Sequence, residues 1–225
     1  MSPSRISVVA CCCLALAMHL YAAPLPCTKP GVERWPVKTT LPPDAKAKKM
    51  SLEDALKIAR LDDVRKNDPR YQDKRILDQP VKEDTMVTVT GWLYLVAYEY
   101  GDDCDFHIQL TAKPITGTPT ADDNSMIVEV PSGQYATTIS DQVETIRQWV
   151  IDKLLAGKAP SANSTHVMQH PVYVKVTGAL FYDDAHTYEK DGGTGRGKKG
   201  LKSKTLWELH PVTAMAFAPK PSGSQ

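Results

Sequence analysis

The chain has 225 residues, of which 42% are hydrophobic and 24% charged, with 27 lysine and arginine against 26 aspartate and glutamate side chains. This length and composition fit one globular domain with extensions, or two small domains. Beyond the N-terminal segment no apolar run reaches the roughly 20 residues that span a bilayer, which excludes a polytopic membrane protein. The formal net charge of +1 excludes a uniformly basic nucleic-acid binder but not a local basic patch.

Residues 1–22 have the pattern of a secretory signal peptide. Arg5 supplies the basic start, an apolar stretch runs from Ile6 to Leu20, and small residues follow it. Pro24 would hinder cleavage directly before it, so we expect cleavage after Ala22. The protein is therefore predicted to be exported, either to the periplasm or to the medium. An uncleaved N-terminal anchor is the alternative.

Removal of the signal would leave two of the five cysteines, Cys27 and Cys104. In an oxidising compartment two cysteines favour one disulfide, which here would tie the N-terminal arm to the main domain. Two free thiols are the alternative, because Cys27 lies in a proline-rich stretch.

Residues 23–50 are predicted to form a proline-rich extended arm, and residues 51–80 a helical segment. Ser51 can cap a helix, and apolar residues recur at helical spacing from Leu52 to Ala59. The helix is expected to end before Asn67, because a proline follows two positions later.

From residue 81 the hydrophobic period changes from helical to two, which predicts strands. The five predicted strands are Met86 to Val96, Phe106 to Leu110, Met126 to Val130, Val172 to Tyr182, and Trp207 to His210 continued by Val212 to Phe217. A helix from Thr138 to Leu155 is expected between the third and fourth strands. Its start has the spacing of a capping box at Thr138.

Five strands with a helix between the third and fourth is the order of the OB-fold. Single glycines inside the first and fourth strands, Gly91 and Gly178, permit the sharp coiling that closure of a small barrel requires. Residues 81–218 are therefore predicted to form a mainly β, five-stranded OB-like barrel, with a loose tail over 219–225. An open five-stranded sheet covered by one helix is the alternative.

Four runs in this region carry a family resemblance: Asp105 to His107, Met126 to Pro131, Thr177 to His186, and Trp207 to Val212. The last contains Glu-Leu-His-Pro-Val, the most recognisable of them. Together they resemble a group of exported bacterial OB-fold-like proteins of uncharacterised function. The resemblance implies an OB-like fold and export, and it assigns no catalytic residue.

Alternation in the second, third and fifth strands turns a set of polar side chains away from the core: Asp105, His107, Glu129, Glu208 and His210. The third strand of an OB barrel lies between the second and the fifth, so these side chains are expected to form one outer patch. Three residues just past the fourth strand are expected near it: Asp183, Asp184 and His186.

Four members of this patch, His107, Glu129, Glu208 and His210, have the side-chain types that bind zinc or another divalent ion. Such an ion would activate water for a phosphodiesterase-like hydrolysis. No compact motif such as His-Glu-x-x-His supports the prediction. Hydrogen bonds between strands, or acid–base catalysis without a metal, are the alternatives.

The loop between the fourth and fifth strands is rich in glycine, and from Arg196 to Lys204 its only charges are positive. OB-folds use this loop to hold oligonucleotides or oligosaccharides, and a mobile basic backbone suits phosphate contacts. Aromatic side chains would add stacking. The predicted ligand-binding residues are Arg196, Lys198, Lys199, Lys202, Tyr173 and Phe181. A solvated loop without a partner, or attraction to anionic lipid or polysaccharide of the envelope, are the alternatives.

The sequence thus predicts first a binding module for an anionic ligand, such as an oligonucleotide or a polysaccharide. A metal-dependent hydrolase is the second prediction, with a divalent metal as its cofactor. An envelope scaffold or interaction protein is the third. A nucleotide cofactor is unsupported, because no glycine-rich phosphate motif follows a strand.

Overall fold

The computed structural model describes residues 25, 27, 33–43, 46–72, 74–100, 104–185 and 195–223. The predicted signal peptide and His186 lie outside the described residues. The helices are α1 (Trp35–Lys38), α2 (Leu52–Ala55) and α3 (Ser140–Leu154). The strands are β1 (Lys48–Lys49), β2 (Met86–Tyr98), β3 (Phe106–Thr111), β4 (Asn124–Val130), β5 (Thr165–Tyr182), β6 (Gly197–Lys198), β7 (Leu201–Ser203) and β8 (Trp207–Phe217). The mainly β class predicted from the alternation is confirmed.

Five long strands form a ring, in the order β2, β3, β4, β8, β5 and back to β2. All neighbours are antiparallel except β4 and β8, which run parallel and meet at Val128 and Leu209. Helix α3 lies between β4 and β5 and not between β3 and β4; β4 and β5 are the third and fourth of the five long strands. The numbering differs because the short strand β1, which pairs in parallel with the start of β2, was missed.

The core lies inside the ring of strands. Phe106, Ile108 and Leu110 of β3 are fully buried there, as alternation along the strand requires. Val143 and Val150 of α3 complete it from one side. The predicted capping box is wrong: Thr137–Ile139 form a 3-10 turn before α3, and no side chain caps the helix.

Close approach between β5 and β8 explains the glycine in the middle of β5. The register of this pair shifts on both sides of Gly178. A Cβ atom at Gly178 would lie 2.9 Å from the carbonyl oxygen of Pro211 and 3.0 Å from Cβ of Leu209. A side chain there would push the two strands apart, so glycine is required for closure of the ring.

The long helix predicted after Ser51 is wrong. Ser51 does cap α2, since the Asp54 N–H donates to its Oγ at 3.0 Å, but α2 ends after one turn. The following backbone bonds to distant side chains instead. Tyr182 Oη accepts from the Leu61 N–H at 3.2 Å, and Trp207 Nε1 donates to the Ala59 carbonyl at 3.0 Å. These tertiary contacts replace the bonds that a continued helix would make.

A disulfide and a buried ion pair are among the links that attach the N-terminal arm to the rest of the molecule. Cys27 and Cys104 form a disulfide, as predicted, with Cα atoms 5.7 Å apart and a sequence separation of 77 positions. The second link, which was not predicted, is a buried ion pair in which Arg34 contacts both carboxylate oxygens of Glu83, at 2.5 and 2.6 Å. By closing its long loop, the Cys27–Cys104 disulfide restricts the unfolded chain and thereby stabilises the folded state by about 4 kcal/mol.

Within the described ranges, no helix has both the length and the apolar character needed to cross a bilayer.

Candidate functional site

Seven polar side chains meet on the outer side of β3, β4 and β8, and we call them the polar cluster: Asp105, His107, Glu129, Asp183, Arg196, Glu208 and His210. The structure brings together the five outward residues that alternation identified. The patch lies on the outer side of the sheet as expected, but it is closed to solvent, because these five residues are at most 2% exposed. A second layer of chain covers them.

His210 is held by three carboxylates. Its Nε2 lies 3.2 Å from Asp105 Oδ2, and its Nδ1 lies 3.1 Å from Glu129 Oε2 and 3.3 Å from Glu208 Oε1. Burial alone would lower the pKa of His210, but the hydrogen bonds to these three carboxylates outweigh it and raise the pKa well above its usual range. These contacts therefore favour the protonated, cationic form of the imidazole.

Glu129 lies at the centre of the cluster. Its Oε1 is 2.9 Å from His107 Nδ1 and 2.9 Å from Arg196 Nη2, while its Oε2 faces His210. Burial would raise the pKa of Glu129, but the positive charge of Arg196 and the bonds from the two histidines lower it well below the usual range. Glu129 is thus an ionised carboxylate shared by three nitrogen donors.

Arg196 was predicted to bind an external ligand, and the structure assigns it a different position. Its guanidinium is buried and contacts Glu208, Asp183 Oδ2 at 2.9 Å, and Glu129 Oε1 at 2.9 Å. Burial acts to lower the pKa of Arg196, yet the three carboxylates raise it further above its normal value. An external anion has no access to this side chain, because the acidic residues of the sheet already surround it.

The layer that covers the cluster is the hairpin of β6 and β7 with its flanks, residues 196–204, which we call the covering hairpin. Gln109 of β3 holds it from below: the Lys198 N–H donates to Gln109 Oε1 at 2.8 Å, and Gln109 Nε2 donates to the Leu201 carbonyl at 3.0 Å. Ser125 Oγ donates to the Lys202 carbonyl at 3.1 Å. This segment was predicted to be a flexible loop, and that prediction is wrong.

An apolar contact supports the same hairpin. Leu201 is buried in a small second cluster on the outer side of β2, which consists of Tyr94, Leu95, Ala97 and Leu201. The structure shows the alternation of a strand here, with Leu201 and Ser203 buried and Lys202 exposed, and the only trace of it in the sequence is the run Leu-Lys-Ser. It was missed because three residues between glycine and lysine neighbours resemble a loop.

The other predicted ligand residues divide into accessible and inaccessible ones. Lys199 and Lys202 are exposed, whereas Lys198 is half-exposed and its Nζ lies 2.8 Å from Glu99 Oε1. Tyr173 is half-buried, with its hydroxyl donating to Thr90 Oγ1 at 3.0 Å. These side chains lie at the surface of the molecule to different degrees.

Phe181 is the exception, because it is buried and cannot stack on an external ligand. The Arg34 guanidinium lies over its ring at 4.8 Å, and the His210 imidazole lies 5.7 Å away. The N-terminal arm, whose contacts the sequence pattern did not indicate, covers this part of β5.

Among the described residues, two groups within or beside the cluster bring together three side chains that could hold a metal ion. One consists of Glu99, His107 and Glu129, and the other of Asp105, Glu129 and His210, each with ligand atoms within 4.8 Å of one another. Glu208, which was predicted as a ligand, belongs to neither and pairs with Arg196 instead. The predicted ligand set is thus divided between the two groups.

A separate concavity of about 420 Å³ lies beside the N-terminal arm. Its lining is mostly polar and consists of Glu33, Arg34, Trp35, Pro36, Lys66, Tyr71 and Gln72. The guanidinium of Arg34 is already paired with Glu83. Residues 28–32 and 73, which adjoin the lining residues in sequence, lie outside the described residues. We therefore assign no ligand to it.

By fold and site, the described part of the chain is a ring of five long strands with one long helix, and it carries a buried network of charges beneath a basic hairpin. Comparison with family models, with curated proteins and with solved structures found no match.

Proposed function

We propose that this protein is an exported OB-like module that binds an anionic polymer through the lysine side chains of the covering hairpin. The strand order of the ring, with α3 between its third and fourth long strands, supports the OB-like assignment and the family resemblance. The Cys27–Cys104 disulfide fits an oxidising compartment and supports export together with the signal pattern of residues 1–22.

The observation that carries the proposal is the exposure of Lys199, Lys202 and Lys204 on a hairpin whose backbone is held in place. Lys202 is exposed between two buried neighbours, so its side chain points away from the sheet. Because Gln109 and Ser125 fix the hairpin backbone, binding requires ordering of the lysine side chains alone. Prior ordering of the backbone lowers the entropic cost of association.

The chemistry of the hairpin favours recognition of charge over recognition of bases or sugars. Lysine ammonium groups act as hydrated point charges and do not impose the planar geometry that arginine does. Arg196, the one guanidinium of the hairpin, is used internally to anchor it. We therefore expect a ligand with repeated negative charges, such as a sulfated polysaccharide or a single-stranded nucleic acid, with strong salt dependence. Stacking by Tyr173 stays a prediction.

The burial of the polar cluster does not favour the hydrolase. His107, Glu129 and His210 are almost completely inaccessible, and Glu208 pairs with Arg196. A polymeric substrate would have to displace the covering hairpin before it reached them. Among the described residues, no specific contact favours the scaffold either.

The test measures binding of heparin and of a single-stranded oligonucleotide over a salt series, with a triple variant Lys199→Ala, Lys202→Ala, Lys204→Ala. Wild type should bind more weakly as salt rises. The triple variant should bind more weakly still, with a salt slope for the oligonucleotide reduced by about 2, since three phosphate contacts are lost.

The control removes the same charge elsewhere, at the exposed Lys57, Lys153 and Lys158, all changed to Ala. It should retain wild-type binding apart from a small general effect of net charge. Equal losses in the two triple variants, or binding by wild type that does not depend on salt, would show that the hairpin is not the binding surface.

A further inference from the structure

We propose that Glu99, His107 and Glu129 form a binding site for a divalent cation of the zinc class, and that Lys198 occupies Glu99 when the cation is not bound. The site is separate from the exposed lysines of the proposed function.

The spacing of the ligand atoms suits tetrahedral coordination. His107 Nδ1 lies 2.9 Å from Glu129 Oε1 and 3.8 Å from Glu99 Oε1. Zinc bonds of about 2.0–2.1 Å in a tetrahedron place neighbouring ligand atoms about 3.3–3.4 Å apart. The two observed distances lie on either side of this value. Small rotations of the glutamate side chains would therefore bring the three atoms to coordinating positions.

The same two glutamate oxygens already attract cations. Lys198 Nζ lies 2.8 Å from Glu99 Oε1, and Arg196 Nη2 lies 2.9 Å from Glu129 Oε1. Arg196 is additionally held by other carboxylates, whereas the Lys198 ammonium has Glu99 as its ion-pair partner among the described residues. Lys198 is therefore the group that an incoming cation displaces.

A route from solvent exists at this edge of the cluster. The side chains of Glu99 and Lys198 are 22% and 35% exposed, in contrast to His107 and Glu129 at 3% and 2%. A cation that replaced Lys198 at Glu99 would meet the buried imidazole and carboxylate directly behind it. Water from the open side would complete its coordination.

His107 faces the site through one ring nitrogen only. It is almost completely buried, and its Nε2 has no hydrogen-bond partner among the described residues. Buried polar atoms are rarely unsatisfied, and each exception calls for a water or an ion. The polar contacts of this imidazole are all on its Nδ1 edge, which faces the two glutamates. A cation at Nδ1 would leave the imidazole proton on Nε2, and this buried N–H would then need an acceptor such as a water.

The other group of metal-ligand type, Asp105, Glu129 and His210, is less suitable. Both nitrogens of His210 already face carboxylates, at 3.1 to 3.3 Å. Coordination would replace one of these charge-assisted contacts and remove the proton that the other needs. His107 has no such competing contact on its second nitrogen.

The experiment titrates zinc into metal-depleted, tag-free protein and follows binding by competition with a chromophoric chelator and by calorimetry. Wild type should bind one zinc per chain, and its melting temperature should rise with zinc. Glu99→Gln changes a half-exposed side chain and should lower the affinity at least about tenfold without unfolding the protein. Lys198→Met should raise the affinity several-fold, because it removes the competing cation.

The matched control changes the exposed His166 and His170 of β5 to Ala and should leave the affinity unchanged. Absence of saturable binding in wild type would overturn the proposal. So would loss of binding in the control with retention in Glu99→Gln, since the metal would then be held by surface histidines. An affinity that Lys198→Met fails to raise would likewise contradict the site. None of these variants alters Lys199, Lys202 or Lys204, so failure here is distinguishable from failure of the proposed function.

Discussion

Arg196 of the covering hairpin and Glu129 of β4 form a buried ion pair, with Nη2 2.9 Å from Oε1. This contact connects two parts of the chain that are 67 residues apart. Arg196 belongs to a glycine-rich segment, and Glu129 is the carboxylate of the sheet that also contacts His107 and His210. The hairpin is therefore attached through charge as much as through apolar packing.

Replacement of Arg196 by Met should lower the free energy of unfolding by about 3–5 kcal/mol, because it leaves Glu129, Glu208 and Asp183 buried without this partner. Urea denaturation measures the change. The exposed neighbour Lys204, changed to Ala, should cost less than about 0.5 kcal/mol. Arg196→Lys should recover part of the loss, since it restores the charge but not the forked geometry. Equal stability of Arg196→Met and Lys204→Ala would contradict the anchoring role.

Replacement of Gly178 by Ala should destabilise the ring of strands by about 1–3 kcal/mol, because the new Cβ would meet the backbone of Pro211 and Cβ of Leu209. Gly91→Ala is the comparison. Its new Cβ would meet mainly Cδ2 of Leu52, the far end of a flexible side chain, at 2.6 Å. Gly178→Ala should have a lower melting temperature than Gly91→Ala. The reverse order would show that β8 shifts more easily than the Leu52 side chain.

Ionisation of buried tyrosines should make the protein sensitive to alkali. Burial, reinforced by the charge of Asp184, raises the pKa of Tyr182 to about 12. A group whose pKa is higher in the folded state contributes stability below its unfolded pKa, near 10, and loses it as pH rises through the folded value. The melting temperature should therefore fall from pH 10 to pH 12.

Tyr182→Phe should flatten this dependence, although it lowers stability at neutral pH through loss of the bond from the Leu61 N–H. Tyr173→Phe, at a half-buried hydroxyl, should keep the wild-type dependence. Identical alkaline profiles for the two variants would mean that Tyr182 is not the responsible group.

Local patterns predicted the elements that are long and periodic. Alternation identified all five long strands of the ring, and the apolar stripe identified α3 to within two residues at its start and one at its end. The helix after Ser51 could not be predicted correctly, because Tyr182 and Trp207, more than a hundred positions away, take its backbone groups. The covering hairpin was missed for the same kind of reason, since its partners are Gln109 and Ser125.

The sequence by itself determined which face of each strand carries His107, Glu129 and His210, because side chains alternate strictly along an extended backbone. It also predicted that Cys27 pairs with Cys104, which the structure confirms. Only the tertiary structure decided that the polar face is buried, since burial depends on what a distant segment covers. Arg196 is a free basic residue in the linear pattern and becomes an internal counter-ion once the hairpin packs against the sheet.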